Sequence, residues 1–450
     1  MGGRGRSRVL DIMRTPALFR RKCWPFLAAG LLAVAGCSDS SEPGGEPGPG
    51  TDGPGVTPGE GSDCLGAKFL TTLGKSTVLV GAQMEDDTAK AAPFDVRYLY
   101  IAAGLFDSKD ACNSCASGCT SDGASCSNSG GGCGWWGCWQ YDQEPPGAYV
   151  RDFIKAAQTN GQIPFITYYE AFQASGYTEG EQQLKALNDS AFLGRYLADW
   201  RFLLKQVGQE KALLQIEPDM WAYLQFFPKD GKAQSTPAAV KAANPTDCGS
   251  QENNGAGLGK CMIAMVRKYA PNAKVGLHAS AWATKTDVSQ NTDASFDVAG
   301  EANKVADFLL SVGAGDTDFV TVEASDRDAG WYEKTTGSAA WWDPENRKLP
   351  HFHQAFTWAK AVSTRLGKPH IWWQLPVGNM SLPNSNQKWR DNRVDYFLTH
   401  PGEVAAAGGV GMLFGAGNYE QTTPESDGGN LVKRVKTYKD AGGQAACVKN

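Results

Sequence analysis

The stretch "LLQIEPDMWAYLQ", residues 213–225, sets the reading of the whole chain. An apolar run ends abruptly at Glu217, Pro218 and Asp219, and an aromatic cluster follows at Met220, Trp221 and Tyr223. A short apolar run closed by proline reads as a buried strand, because proline donates no ladder hydrogen bond. Runs of the same kind recur at 77–82, 97–103, 163–168, 274–278, 318–323, 369–374 and 409–414. Segments with helical spacing lie between most of them, at 147–159, 181–207, 256–270, 299–312, 351–367, 391–400 and 429–440. Strands apolar on both faces, alternating with amphipathic helices, imply a parallel sheet with helical crossovers. With the run at 212–217, eight strands over one long segment predict an α/β fold of (β/α)8, TIM-like type. A doubly wound open sheet is the alternative. No internal repeat is evident.

The first 36 residues hold seven Lys/Arg and one acid, so the remainder of the chain has a formal charge of −11. That balance disfavours binding of nucleic acid or an anionic membrane through charge. Arg20, Arg21 and Lys22 precede the apolar run "WPFLAAGLLAVAG", which is too short to span a bilayer and suits a secretory signal. It ends in Val34-Ala35-Gly36-Cys37, which resembles the bacterial lipobox; that resemblance implies a lipid on Cys37. The alternative is an ordinary signal peptide containing a cysteine, and Met13 is an alternative start. Residues 1–36 are therefore expected to be a signal peptide and 37–63, rich in Gly and Pro, a flexible tether. Residues 64–450 would form the barrel domain of a monomer held at the outer membrane or cell surface.

Ten cysteines remain after Cys23 and Cys37, and an exported chain pairs them by default. Cys64 and Cys447 lie at the two ends of the domain, and Cys248 and Cys261 can close a local loop. Cys112, Cys115, Cys119, Cys126, Cys133 and Cys138 crowd into an insertion at 107–146 that also carries Trp135, Trp136 and Trp139. Those indoles make either a small core for the loop or a rim for a ligand groove. A zinc site at Cys112-x-x-Cys115 is a lesser alternative.

In a barrel of this type chemistry sits at the carboxyl ends of the strands. The expected ends carry Tyr169 and Glu170; Glu217 and Asp219; His278 and Trp282; Glu323, Asp326, Asp328 and Trp331; Trp372, Trp373 and Gln374; and Asp427. The set is acidic and aromatic, with one histidine and no phosphate-cradling glycine loop. Pro218 would turn Glu217 and Asp219 together onto the open face, and apolar Met220 and Trp221 would keep a proton on a carboxyl there. Carboxyl pairs cleave glycosidic bonds and indole faces stack on sugar rings, so a polysaccharide is the expected partner.

The residues also resemble glycoside hydrolase family six, the inverting cellulases. "LLQIEPDMWAYL" is similar to the fourth-strand motif that presents the family's catalytic acid, and the match places that role on Asp219. "PESDGGN", residues 424–430, resembles the C-terminal run whose aspartate lies on the base side, here Asp427. "GLHASAW", residues 276–282, matches a sugar-binding motif through His278 and Trp282, and "ITYYEAFQASG", residues 166–176, places a tyrosine beside the cleavage point at Tyr169. The chain departs from the family at Glu170, at Val275, at Gln374 and across the acidic run 323–331.

The resemblance implies an inverting hydrolase of β-linked polysaccharide, without cofactor or metal, in which Asp219 protonates the leaving oxygen. Glu217 and Glu323 are the alternative carboxyl pair, for a retaining mechanism if they stand about 5.5 Å apart. Tyr169, Glu170, Trp221, Asp326, Trp331, Trp372, Trp373, Gln374 and Trp136 are the further substrate-binding candidates. A polysaccharide-binding lipoprotein that has lost catalysis is the competing function. A metal-dependent hydrolase would rest on His351-x-His353, two residues that do not share a helix face.

Overall fold

The computed structural model describes residues 64–102, 105, 119–121, 124–126, 145–338, 340–415, 417 and 420–447. The strands are β1 (Leu79–Ala82), β2 (Val96–Ala102), β3 (Cys119–Ser121), β4 (Ala124–Cys126), β5 (Ile163–Tyr169), β6 (Leu213–Ile216), β7 (Lys274–Ala279), β8 (Phe319–Glu323), β9 (His370–Leu375) and β10 (Gly409–Phe414). Eight of them close a parallel barrel in the order β1-β10-β9-β8-β7-β6-β5-β2, and β3 pairs with β4 in a separate antiparallel hairpin. These eight are the eight runs expected from sequence, and closure between β1 and β2 excludes the open sheet.

Every residue of β1, β6, β9 and β10 is buried, as a sheet covered on both faces requires. Inward side chains such as Leu79, Val96, Tyr98, Phe165, Leu213, Phe319 and Ile371 fill the lower lumen. Gly276 of β7 makes room for them: a Cβ there would stand 2.5 Å from the Phe319 ring. The helix Leu65–Thr72 plugs the bottom with Phe69 and Leu70. Its N-cap, Cys64, is disulfide-bonded to Cys447, so the chain's two described ends are stapled beneath the barrel. The outward strand residues pack in a second, larger core against the helices. There Cys248 bonds Cys261 and ties the helix Pro245–Cys248 to Gly255–Tyr269.

The helical segments expected at 147–159, 256–270, 299–312, 351–367, 391–400 and 429–440 form within two residues of those bounds. The segment 181–207 divides at Asp189, whose carboxylate caps the helix Ser190–Val207 by accepting from the amides of Ala191 and Phe192. Pro218 does more than end β6: it occupies the first turn of a new helix, Pro218–Phe226, where its missing N–H costs nothing. No described helix is long and apolar enough to cross a membrane. The signal segment, Cys37 and the tether lie outside the described residues, as do Trp136, Cys112, Cys115, Cys133 and Cys138 of the insertion. Cys119 and Cys126 are described only as backbone partners across the hairpin.

Candidate active site at the barrel mouth

Glu217 and Asp219 part company at the end of β6. Leu213 and Gln215 face the lumen, so strand alternation would aim Glu217 there too. Its backbone is left-handed instead, with φ of 44°, and the side chain swings out to the helix layer. There Oε1 accepts from the amides of Glu170 and Ala171, each at 2.8 Å, and from the Tyr196 hydroxyl at 2.9 Å. Oε2 is buried without a hydrogen-bond partner. Burial pushes this carboxyl up to about 7, against the lowering effect of its three donors. Burial thus favours a proton on Glu217, which stands outside the mouth.

Asp219, in the first turn of Pro218–Phe226, faces the mouth. The Tyr169 hydroxyl, at the end of β5, lies 3.0 Å from Asp219 Oδ2 and 2.9 Å from Glu179 Oε1. Tyr223, one helical turn beyond Asp219, donates to the same Glu179 oxygen at 3.1 Å. Burial pushes the Tyr169 phenol well above its ordinary range, and the Asp219 and Glu179 carboxyls raise it further. Two carboxyls and two phenols therefore form one hydrogen-bonded cluster on the β5–β6 side of the opening.

Within the lumen, a polar layer spanning β5 to β8 sits above the aromatic floor. Thr167 of β5 donates to Gln215 Oε1 at 2.7 Å, and Gln215 Nε2 donates to Thr321 of β8 at 2.7 Å. Thr321 Oγ1 lies 3.0 Å from His278 Nδ1, and His278 Nε2 lies 3.7 Å from Glu323 Oε1. The His278 ring is 1% exposed and meets Trp373 edge-on, with centroids 5.3 Å apart. Tyr100 of β2 packs on Trp373 and donates to Gln374 at 2.5 Å. Gln374 is held with φ of 56°, a left-handed conformation uncommon for such a residue. Burial pushes the Tyr100 phenol well above its usual range; Tyr98, Asp219, Glu323 and Asp326 add to the rise, so three carboxyls converge on it. Asp287, in the loop after β7, is raised by burial and then by Glu323 and Asp326.

The remaining candidates divide between mouth and scaffold. Asp326 pairs with Arg327 and Tyr332, and Arg327 lies over the Trp331 ring at 4.9 Å. Trp282 packs on Tyr223 with centroids 5.1 Å apart, beside Asp219. Trp221 is fully buried, its indole donating to the Ile216 carbonyl at 2.6 Å, and offers no face to a ligand. Trp372 points out of the barrel onto Phe356 and Phe397. Glu170 is fully buried beside Glu217. Asp427 accepts from the amides of Gly429 at 2.7 Å and Leu431 at 2.6 Å, so both its oxygens cap the helix Asn430–Asp440. Asp328 ties three loops by accepting from Gly378 and Thr422, each at 2.9 Å, and burial and Asp391 push it up.

His351 caps the helix Phe352–Leu366 and His353 pairs with Glu403. Among the described residues no group of three or more His, Cys, Asp or Glu is placed to hold a metal.

Sequence reasoning passed over Tyr100, Glu179, Gln215, Thr321 and Asp287. Gln215 and Thr321 are readable in principle, as polar residues at lumen-facing positions of buried strands. Glu179 comes from a loop, and no periodicity points to it.

No protein-family model matches the sequence. No curated protein matches it. Among solved structures the chain is similar to an endo-1,4-β-D-mannanase from Thermotoga petrophila, at 11% identity over 81% of this chain and 99% of that one, with a TM-score of 0.44. It is similar to a modular endo-β-1,4-mannanase from Cellulomonas fimi, at 11% identity over 85% of this chain and 76% of that one, with a TM-score of 0.45. It is also similar to an endoglucanase from Mycobacterium tuberculosis, at 14% identity over 51% of this chain, with a TM-score of 0.27. The match spans 56% of that endoglucanase. These likenesses bear on the fold alone.

Proposed function

We propose that this chain is a glycoside hydrolase of β-linked polysaccharide, with Asp219 as its general acid. One observation carries the assignment. The Tyr169 hydroxyl has a single hydrogen yet stands within hydrogen-bond distance of two carboxyls, Asp219 and Glu179. It can donate to only one of them at a time, and a proton on the other carboxyl would complete the second contact. Glu179 already receives a hydrogen from Tyr223. In this reading Tyr169 donates to Glu179, and Asp219 carries the proton of its own contact with the Tyr169 oxygen. A carboxyl that holds a proton at the rim of an acidic, aromatic mouth can deliver it to a leaving glycosidic oxygen.

Glu323 is the second carboxylate in this reading. It lies on the β8 side with Asp326 and Asp287, where it would draw a proton from the attacking water and give inversion. Asp427 and Glu217, both engaged in the scaffold, are left out of the chemistry. Trp282 and Trp331 offer stacking or edge contacts to sugar rings around the opening. Attachment to the cell surface through lipid on Cys37 completes the proposal and is supported by sequence.

The test is release of reducing ends from soluble β-glucans and bacterial exopolysaccharides by the full chain, folded oxidatively, beside Asp219→Asn. Hydrolysis by the parent and a loss of about a hundredfold or more in the variant, with glycan binding retained, is the expected result. Binding by both proteins with no cleavage by either would make the barrel a sugar-binding module and end the enzymatic reading.

A further inference from the structure

We infer that Thr167, Gln215 and Thr321 form a one-way hydrogen-bond chain that fixes His278 as the Nε2–H tautomer facing Glu323, making them positioning residues for that carboxylate. The inference rests on the proposed role of Glu323 and extends it to residues buried in the lumen.

The chain runs Thr167 to Gln215 at 2.7 Å, Gln215 to Thr321 at 2.7 Å, and Thr321 to His278 Nδ1 at 3.0 Å. Gln215 Nε2 also lies 3.5 Å from Nδ1, and the Thr321 hydroxyl has a second, longer contact of 3.4 Å to the Leu277 carbonyl, so its shorter contact is the one to Nδ1. Thr167, Gln215 and Thr321 are fully buried and His278 is 1% exposed, so water does not complete the network from outside. Taken alone, such a chain satisfies itself in either direction, because the amide of Gln215 can be turned over and each hydroxyl can rotate. Glu323 chooses the direction, and Thr321 holds it by donating to Nδ1. Its carboxylate only accepts, and Oε1 faces His278 Nε2 at 3.7 Å. A lone pair on Nε2 would repel it, whereas a hydrogen there attracts it. With Nε2 protonated, Nδ1 accepts from Thr321, Thr321 accepts from Gln215, and Gln215 accepts from Thr167.

Nε2 is buried, and among the described residues it has no partner within hydrogen-bond distance. It stands too far from Glu323 to bond it directly and close enough to orient it. A substrate hydroxyl or water beside Glu323 would complete this N–H, which gives the chain a positioning function beyond packing.

The experiment uses the full chain labelled with 15N in its five histidines. His278 is identified by the signal lost in His278→Gln, and its tautomer is read from the imidazole nitrogen shifts at neutral pH. The expected result is a single Nε2–H form in the parent. Thr321→Val should lose it, giving averaged nitrogens, and should lower kcat about ten- to a hundredfold with little change in KM; Thr321→Ser should restore both. An Nδ1–H or doubly protonated ring in the parent would overturn the inference. So would a Thr321→Val variant that keeps the single tautomer, or one that loses it while kcat stays as in the parent. If the parent cleaves none of the glycans, the imidazole signature alone decides the wiring, and the glycosidase reading fails separately.

Discussion

Glu217→Gln should make this protein more stable above neutral pH and leave it nearly unchanged in mild acid. The buried carboxyl is pushed from the ordinary 4.5 up to about 7. Below pH 4.5 the folded and unfolded chains both hold the proton, and Glu217 costs nothing extra. Between 4.5 and 7 the unfolded chain releases the proton and the folded chain keeps it, so stability falls as pH rises. Above about 7 both forms are ionised and the loss is complete. The size follows from the shift: at about 1.4 kcal/mol per unit it amounts to about 3 kcal/mol.

Glutamine keeps the Oε1 acceptor for Glu170, Ala171 and Tyr196 and places an amide where Oε2 has no partner. A protonated glutamate has a comparable unpaired donor, so the two proteins should match near pH 4.5. By pH 8 the variant should lead by about 3 kcal/mol, or roughly 4 °C in Tm for a domain of this size. Thermal unfolding of both proteins at half-unit steps from pH 4.5 to 8 reads the difference directly. A gap that does not widen with pH, or a variant less stable than the parent at pH 8, would refute the reasoning.

The remaining predictions concern other parts of the barrel. Tyr169→Phe removes the hydroxyl between Asp219 and Glu179 and should lower kcat on a cleaved glycan by about ten- to a hundredfold with KM little changed; equal kcat in parent and variant would remove Tyr169 from the proton's path. Asp427→Ala should cost about 1 kcal/mol of stability through the lost cap, measured by urea unfolding, with kcat within about twofold of the parent. A folded Asp427→Ala variant without activity would return that residue to the chemistry. Cys64→Ser opens the staple to Cys447 and should lower Tm by several degrees, roughly 2–5 kcal/mol, without altering kcat on a glycan the parent cleaves.

The barrel was legible in the sequence because a parallel strand covered on both faces is a short, nearly unbroken apolar run, and eight of them stand between helical segments. Both described disulfides were legible from position. The helix Pro218–Phe226 was hidden by its own first residue, since proline ends a strand and begins a helix equally well. Trp221 and Trp372 were read as ligand platforms because an indole in sequence carries no mark of which side of a strand or helix it occupies. Trp372 alternates outward while its neighbour Trp373 faces the lumen. Gln215 carries no charge and so stands out less than Glu217 and Asp219 beside it, although a polar residue inside an otherwise apolar strand is itself the signature of a lumen network.

The Glu-Pro-Asp run needed a fact that no pattern supplies. By alternation Glu217 belongs in the mouth, and its left-handed backbone sends it out to Tyr196. That rotation gives the two carboxyls different work. Glu217 binds the first two amides after β5, the strand that ends in Tyr169, to the end of β6, from which Asp219 departs. Tyr169 and Asp219 then meet at 3.0 Å across the same junction. The outward carboxyl thereby holds in register the two elements whose side chains meet in that contact, and strain at one residue sets the geometry of the proposed acid two residues on.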